Sequence, residues 1–307
     1  TLYCGKHKSG LKVFVMPKSG YSKSYAVFGT HFGSVDNRFT APGDKEQTVL
    51  PDGVAHFLEH KLFEQPDGGN VFAEYAKYGA NANAYTSFNM TGYLFECTAH
   101  LTENLKILLD FVSKPYFTDE NVKKEQGIIT EEAAMNDDNP DFIAFKTINK
   151  NLYKLSPYNT PILGTTSTIK KITKEDLYTC YNTFYRPSNM FLVVGGAVDP
   201  DKVLKITTDA LTKFNLEKDK DIKIKHYKEP VKVVKNYEEI KAAVQVEKLA
   251  MGFKMEKASF PIRDKVILDL YLNMIVSLCF GSSSEFREMI RKRHLISRSG
   301  YYFQDVD

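Results

Sequence analysis

The chain has 307 residues, 43% hydrophobic and 26% charged, enough apolar material for a large buried core in one or two domains. Lys plus Arg number 41 against 38 for Asp plus Glu, a net charge of +3, which leaves no electrostatic case for nucleic acid or an acidic membrane surface as partner. The cysteines Cys4, Cys97, Cys180 and Cys279 lie far apart with no CxxC pair. Cys97 and Cys279 sit in apolar runs and read as small buried hydrophobes, not ligands or disulfides.

Strand signals open the chain at residues 11–16 and 25–32, with no signal-peptide core before them. Residues 36–53 are rich in Pro, Gly, Asp and Asn and read as a loop, with Asp52 as N-cap of a following helix. A short amphipathic helix is expected over 70–78, a strand over 84–98, and helices over 101–113 and 119–135. Further helix follows, then a buried strand over 190–196. This pattern is α+β, with antiparallel strands grouped beside helices. Residues 1–215 are expected to form the first domain and the Lys/Asp-dense stretch 216–235 a solvated linker. Residues 236–307 would begin a second domain, with strand character at 242–252 and a long apolar helix at 262–280. So short a remainder is expected to be an incomplete copy. No apolar stretch is expected to approach the ~20 residues of a membrane span. No membrane insertion is therefore expected, and a cytoplasmic location is the simplest one.

Chemistry concentrates in His56-Phe57-Leu58-Glu59-His60. On a helix, residues four apart lie within about 40° of one another, so His56 and His60 can chelate one ion from one face. Glu59 projects from the same side, where a carboxylate can take a proton from metal-bound water and return it to a leaving amine. The order is the inverse of HExxH, the inverzincin pattern. Nitrogen ligands with an open position suit zinc, although the same set accepts manganese or cobalt. A third ligand should come from Glu125–Glu132. Glu125 and Glu132, seven apart, share a helical face within about 20°, and Glu131 points elsewhere. One of the pair could bind zinc while the other supports the site; periodicity does not say which.

From these residues the chain resembles the pitrilysin/insulinase family of metallopeptidases, which includes the mitochondrial processing peptidase, and within it the small bacterial paired-subunit members. The likeness runs through Gly53–Phe63, Glu125–Glu132, Asn81–Ser87, Tyr158–Thr168 and Tyr185–Asn189. It implies a repeated α+β domain, two per half, with the halves closing as a clamshell, of which this chain would be one half. It also implies Glu132 as the zinc ligand beside His56 and His60, and Glu125 as essential support for catalysis by Glu59. Asn83 and Ala84 would pair with an extended substrate as an edge strand, and Phe57 is expected to meet substrate as well.

One departure stands out. The family's substrate-contacting Arg and Tyr align with Ile290 and Ser297, neither of which can polarise a carbonyl as Arg and Tyr do. A homologous second subunit is expected to supply them. The leading expectation is thus a zinc endopeptidase subunit acting on unfolded peptides. The alternatives are a non-catalytic peptide-binding scaffold and a protease dedicated to one precursor. His31, His100 and His294 have no partner at ligand spacing and read as structural.

Overall fold

The computed structural model describes all residues except 67, 212–221, 256–260 and 297–307. In chain order the elements are strands β1 (Tyr3–Lys6), β2 (Lys12–Pro17), β3 (Ser24–Thr30), β4 (Arg38–Thr40) and β5 (Thr48–Val49), then helices α1 (Val54–Lys61) and α2 (Val71–Lys77). The hairpin β6 (Asn81–Thr86) and β7 (Thr91–Cys97) leads to α3 (Leu101–Val112), α4 (Asp119–Asp137), α5 (Pro140–Leu152), α6 (Thr166–Ile169) and α7 (Lys174–Phe184). Strand β8 (Met190–Gly196), α8 (Pro200–Leu211), β9 (Lys223–Ile224), α9 (Ile262–Phe280) and α10 (Glu285–Lys292) complete the described elements. They fall into two units, residues 1–253 and 254–307.

The first unit is built on a six-stranded sheet of order β1-β2-β8-β3-β7-β6, so β1 and β6 are its edges. All neighbours are antiparallel except β2 and β8. That one parallel pair is the exception in the antiparallel arrangement that the sequence leads one to expect. The chain between β2 and β8 is long enough to return in the same direction, which a hairpin cannot do. The burial alternation along β8 is strict, and Val13, Val15, Ala26, Phe28, Tyr93, Phe95, Leu192 and Val194 form the sheet's share of the core. Helices α3 and α8 pack together, and α1 packs against α7, α4 and β6.

The expected single strand over 84–98 is two strands. Ser87 N–H donates to Met90 O, and the pairing runs from Thr86 opposite Thr91, so the sheet folds back on itself here. The N-cap of α1 is Gly53, not Asp52; Asp52 Oδ1 instead accepts from Asn37 Nδ2. Gly53 has φ +93°, and a Cβ there would lie 2.3 Å from the carbonyl oxygen of Leu163. Only glycine allows that approach, which seats the start of α1 against the 158–164 loop. Helix α4 begins with a capping box in which Thr118 Oγ1 accepts from Asn121 N–H and Asn121 Oδ1 accepts from Thr118 N–H.

Asp36 is buried, and its Oδ2 accepts from Gly33 N–H at 2.8 Å. Burial pushes its carboxyl up to about 7, from an ordinary 3.8. The folded state therefore holds a proton between about pH 4 and 7 that the unfolded state has released, and stability falls as pH rises through that window. Asp36→Asn should raise the melting temperature at pH 8 and change it little at pH 4.5, as read by thermal melts at the two pH values.

The described part of the expected linker is tied down. Strand β9 adds to β4, Glu229 accepts backbone N–H donors from Lys154, Leu155 and Ser156, each at 2.7 Å, and Asn151 O accepts from Val234 and Lys235. Residues 242–252 form no strand and are exposed. Alternation gives a strand only where a neighbour offers its backbone, and none lies alongside among the described residues.

In the second unit α9 occupies residues 262–280, as its sequence predicts, with Val266, Leu270, Tyr271, Met274 and Leu278 exposed. The helical stretch Arg263–Lys292 contains a window of mean hydropathy 1.6, long and apolar enough by length and composition to cross a membrane, contrary to the expectation above. Its Ile, Leu and Val residues outweigh the interruptions at Asp269 and Asn273. Cys279 is exposed and not buried, because the apolar run around it faces outward; Cys97 is buried, and both are free thiols. Ile290 lies in α10, and Ser297 falls outside the described residues.

Candidate metal centre

Helix α1 places His56 and His60 one turn apart, their ring centroids 4.5 Å from each other. Phe57, Leu58 and Leu62 are fully buried and hold the helix in the core, so the histidine face is the one left to meet α4. On α4, Ile129 is buried while Glu125 and Glu132, on one face, bracket the histidines. Glu132 Oε1 is 3.8 Å from His56 Nε2, and its Oε2 is 3.6 Å from His60 Nε2. Glu125 reaches the other side of the second ring, where His60 Nδ1 donates to Oε1 at 3.0 Å.

One ligand atom from each of His56, His60 and Glu132 lies within 4.8 Å of the other two. Bonds of ~2.0 Å from a tetrahedral ion give ligand separations of roughly 3.3 Å, so a small contraction onto the ion completes the set. Among the described residues this is the only such group. Periodicity left Glu125 and Glu132 equivalent. The fold separates them, because the first meets Nδ1 of one ring and the second meets Nε2 of both. Glu131 is exposed.

Burial pulls the His56 imidazole down to about 3, with the neighbouring His60 charge adding to the effect, so His56 is neutral over the whole physiological range. Burial also acts to lower His60, but the hydrogen bond to Glu125 and the charges of Glu59, Glu125 and Glu132 outweigh it and raise the ring. Glu59 is pushed up, chiefly by burial, and a 2.6 Å hydrogen bond donated by Thr86 Oγ1 to its Oε2 works against that rise. Two imidazoles, one carboxylate and a second carboxylate behind a ring nitrogen are the donors and outer support that zinc takes.

The group opens into a cleft of about 380 Å³. Its walls are Asn83–Thr86 of the edge strand, Phe142, Phe145 and Asn149 of α5, Phe88, and the 158–163 loop. Asn83 and Ala84 therefore stand beside the metal face on a strand whose outer side is unpaired within the sheet. Phe57 does not stand there. It is 0% exposed, and the expectation that it meets substrate is corrected: one residue on from His56 is about 100° around the helix, which turns it into the core. Thr86, on the edge strand, carries no motif of its own in the sequence beyond its place in Asn81–Ser87. Lys61 is fully buried beside His60; a lysine four residues after Phe57 and three after Leu58 falls on the core face, a signal present in the helical pattern.

Residues 44–166 match the family model described as insulinase (peptidase family M16), and residues 171–305 match that described as peptidase M16 inactive domain. Over 300 residues the chain is 43% identical to YmfH of Bacillus subtilis, named an uncharacterized zinc protease, covering 97% of this chain and 70% of that protein. The chain belongs to the insulinase family, peptidase family M16. All five residues of the centre, from His56 to Glu132, lie inside the first M16 match. The mitochondrial-processing peptidase subunit beta of Caenorhabditis elegans is 30% identical over 172 residues, 55% of this chain and 38% of that protein. The crystal structure of an M16-like peptidase from Alicyclobacillus acidocaldarius superposes with a TM-score of 0.88 at 33% identity, over 97% of this chain and 70% of that one. The match thus spans about 70% of these two bacterial M16 relatives and 38% of the processing-peptidase subunit.

Proposed function

We propose that the chain is the zinc-bearing part of a metalloendopeptidase that cleaves extended peptide segments. The observation carrying this reading is the convergence of His56, His60 and Glu132 beside Glu59 in a cleft edged by β6. His56, His60 and Glu132 would hold zinc, with Glu125 fixing the His60 ring from behind. Zinc held there supplies Lewis acidity to the scissile carbonyl and to the attacking water. Glu59 takes the proton from that water and returns it to the leaving amine. The free edge of β6 at Asn83 and Ala84 pairs with the substrate backbone as an added strand, while the aromatic walls receive side chains.

The donors that complete carbonyl polarisation come in this reading from a homologous second half or subunit. The Ile290 side chain has no hydrogen-bond donor, and a protein of similar fold, the periplasmic protease PqqL of Escherichia coli, has been crystallised as a first half. A peptide-binding role without catalysis is the alternative, favoured by the inactive-domain match over residues 171–305.

Metal analysis of the purified chain, together with cleavage of a quenched fluorescent peptide library, tests this. About one zinc per chain, lost in His60→Ala, supports the centre. A folded chain that takes up no zinc and cleaves nothing with or without a co-expressed homologous subunit leaves the binding role. The Thr86 hydrogen bond favours the ionised form of Glu59. In Thr86→Val the base therefore stays protonated to higher pH, and the acid limb of the kcat/KM profile should move to higher pH.

A further inference from the structure

Lys61 is the last residue of α1, directly after His60, and its side chain is 0% exposed. Burying an ammonium is costly unless its partners are well placed, and an apolar side chain of similar volume would usually serve stability as well. Of the other buried residues of α1, Val54, Ala55, Phe57 and Leu58 are apolar, and the polar ones, His56 and Glu59, line the cleft, which Lys61 does not. A lysine in that row needs a reason beyond packing.

Its partners supply one. The ammonium pairs with Glu64 in the turn after α1 and stands 3.7 Å from Oε2 of Glu125. The other oxygen of the same carboxylate, Oε1, accepts from His60 Nδ1. The two oxygens of Glu125 are thus divided between neighbouring residues of one helix. A carboxylate torsion is broad and roughly two-fold when nothing holds it. With one oxygen facing the Lys61 charge, the other is kept in line with the imidazole, and Nε2 of that ring is aimed at Glu132 and His56.

We infer that Lys61 is a positioning residue of the metal centre, acting through Glu125 to fix the orientation of His60. The inference rests on the zinc reading above and extends it to a residue that touches neither metal nor substrate. Glu64, tied to the same ammonium, anchors Lys61 from the other side and joins the following turn to the arrangement.

The test is a double-mutant cycle read by zinc affinity, measured by competition with a fluorescent chelator on the full chain. Lys61→Met, Glu125→Gln and the double variant are compared, with thermal melts in EDTA to establish that each is folded. Lys61→Met should weaken zinc about tenfold, the low end for loss of an outer partner of a ligating histidine. The double variant should bind zinc no more weakly than Glu125→Gln alone, because Lys61 acts only through that carboxylate. Zinc affinity equal to or above wild type in Lys61→Met, or losses that add in the double, overturns the inference while leaving the metal centre intact. A folded wild-type chain that binds no zinc overturns the metal centre, and this inference with it. Lys61→Gln, which keeps a buried N–H donor, is read in the same cycle if Lys61→Met does not fold, with the same two overturning results.

Discussion

Glu59→Gln should reduce peptide hydrolysis by about 10²–10⁴-fold while leaving zinc content unchanged. The two readouts separate because Glu59 is not among the group whose ligand atoms converge; it lies beside them, held by Thr86. Glutamine keeps the shape and can still accept the Thr86 hydroxyl, so the fold and the metal-binding face are preserved and only the proton acceptor is lost. Steady-state cleavage of a fluorogenic peptide, run beside metal analysis of the same preparation, checks this. Loss of zinc along with activity would place Glu59 among the ligands. Retained activity would remove it from the chemistry altogether.

The second large effect is on stability. Phe57 is fully buried in the core, next to His56 along α1, and Phe57→Ala should lower the unfolding free energy by about 3–5 kcal/mol. Its cost has two parts, lost transfer of the ring from water and the cavity left where α1 meets its neighbours. Urea denaturation in EDTA measures it free of any metal contribution. Phe57→Leu keeps most of the volume, should cost little more than 1 kcal/mol, and should leave KM for peptide unchanged. A raised KM with an unchanged midpoint in Phe57→Leu would restore the substrate contact that burial argues against.

Much of the site could be read without coordinates because its information is local. A helical turn alone brings His56 and His60 to one face, and the spacing of Glu125 and Glu132 alone puts them on another. Strands that carry strict alternation, such as residues 190–196, and helices with long apolar periods, such as 262–280, were legible for the same reason. What failed was whatever depends on a partner. The stretch 84–98 looks like one strand until the turn at Ser87–Met90 folds it. Residues 242–252 alternate but meet no neighbouring strand among the described residues. Asp52 is a good N-cap by type, yet the close approach of Leu163 gives that position to Gly53.

The sequence by itself determined the helical histidine pair and the carboxylate between them, since both rest on spacing along one backbone, and its motifs carried the family resemblance. Only the tertiary structure shows which nitrogen each acidic residue of α4 meets, that Phe57 belongs to the core, and that Thr86 and Lys61 lie against Glu59 and Glu125. The physical reason is that hydrogen bonds and ion pairs act over a few ångströms in space. For Thr86 with Glu59 and for Lys61 with Glu125, those ångströms join residues 27 and 64 positions apart in the chain.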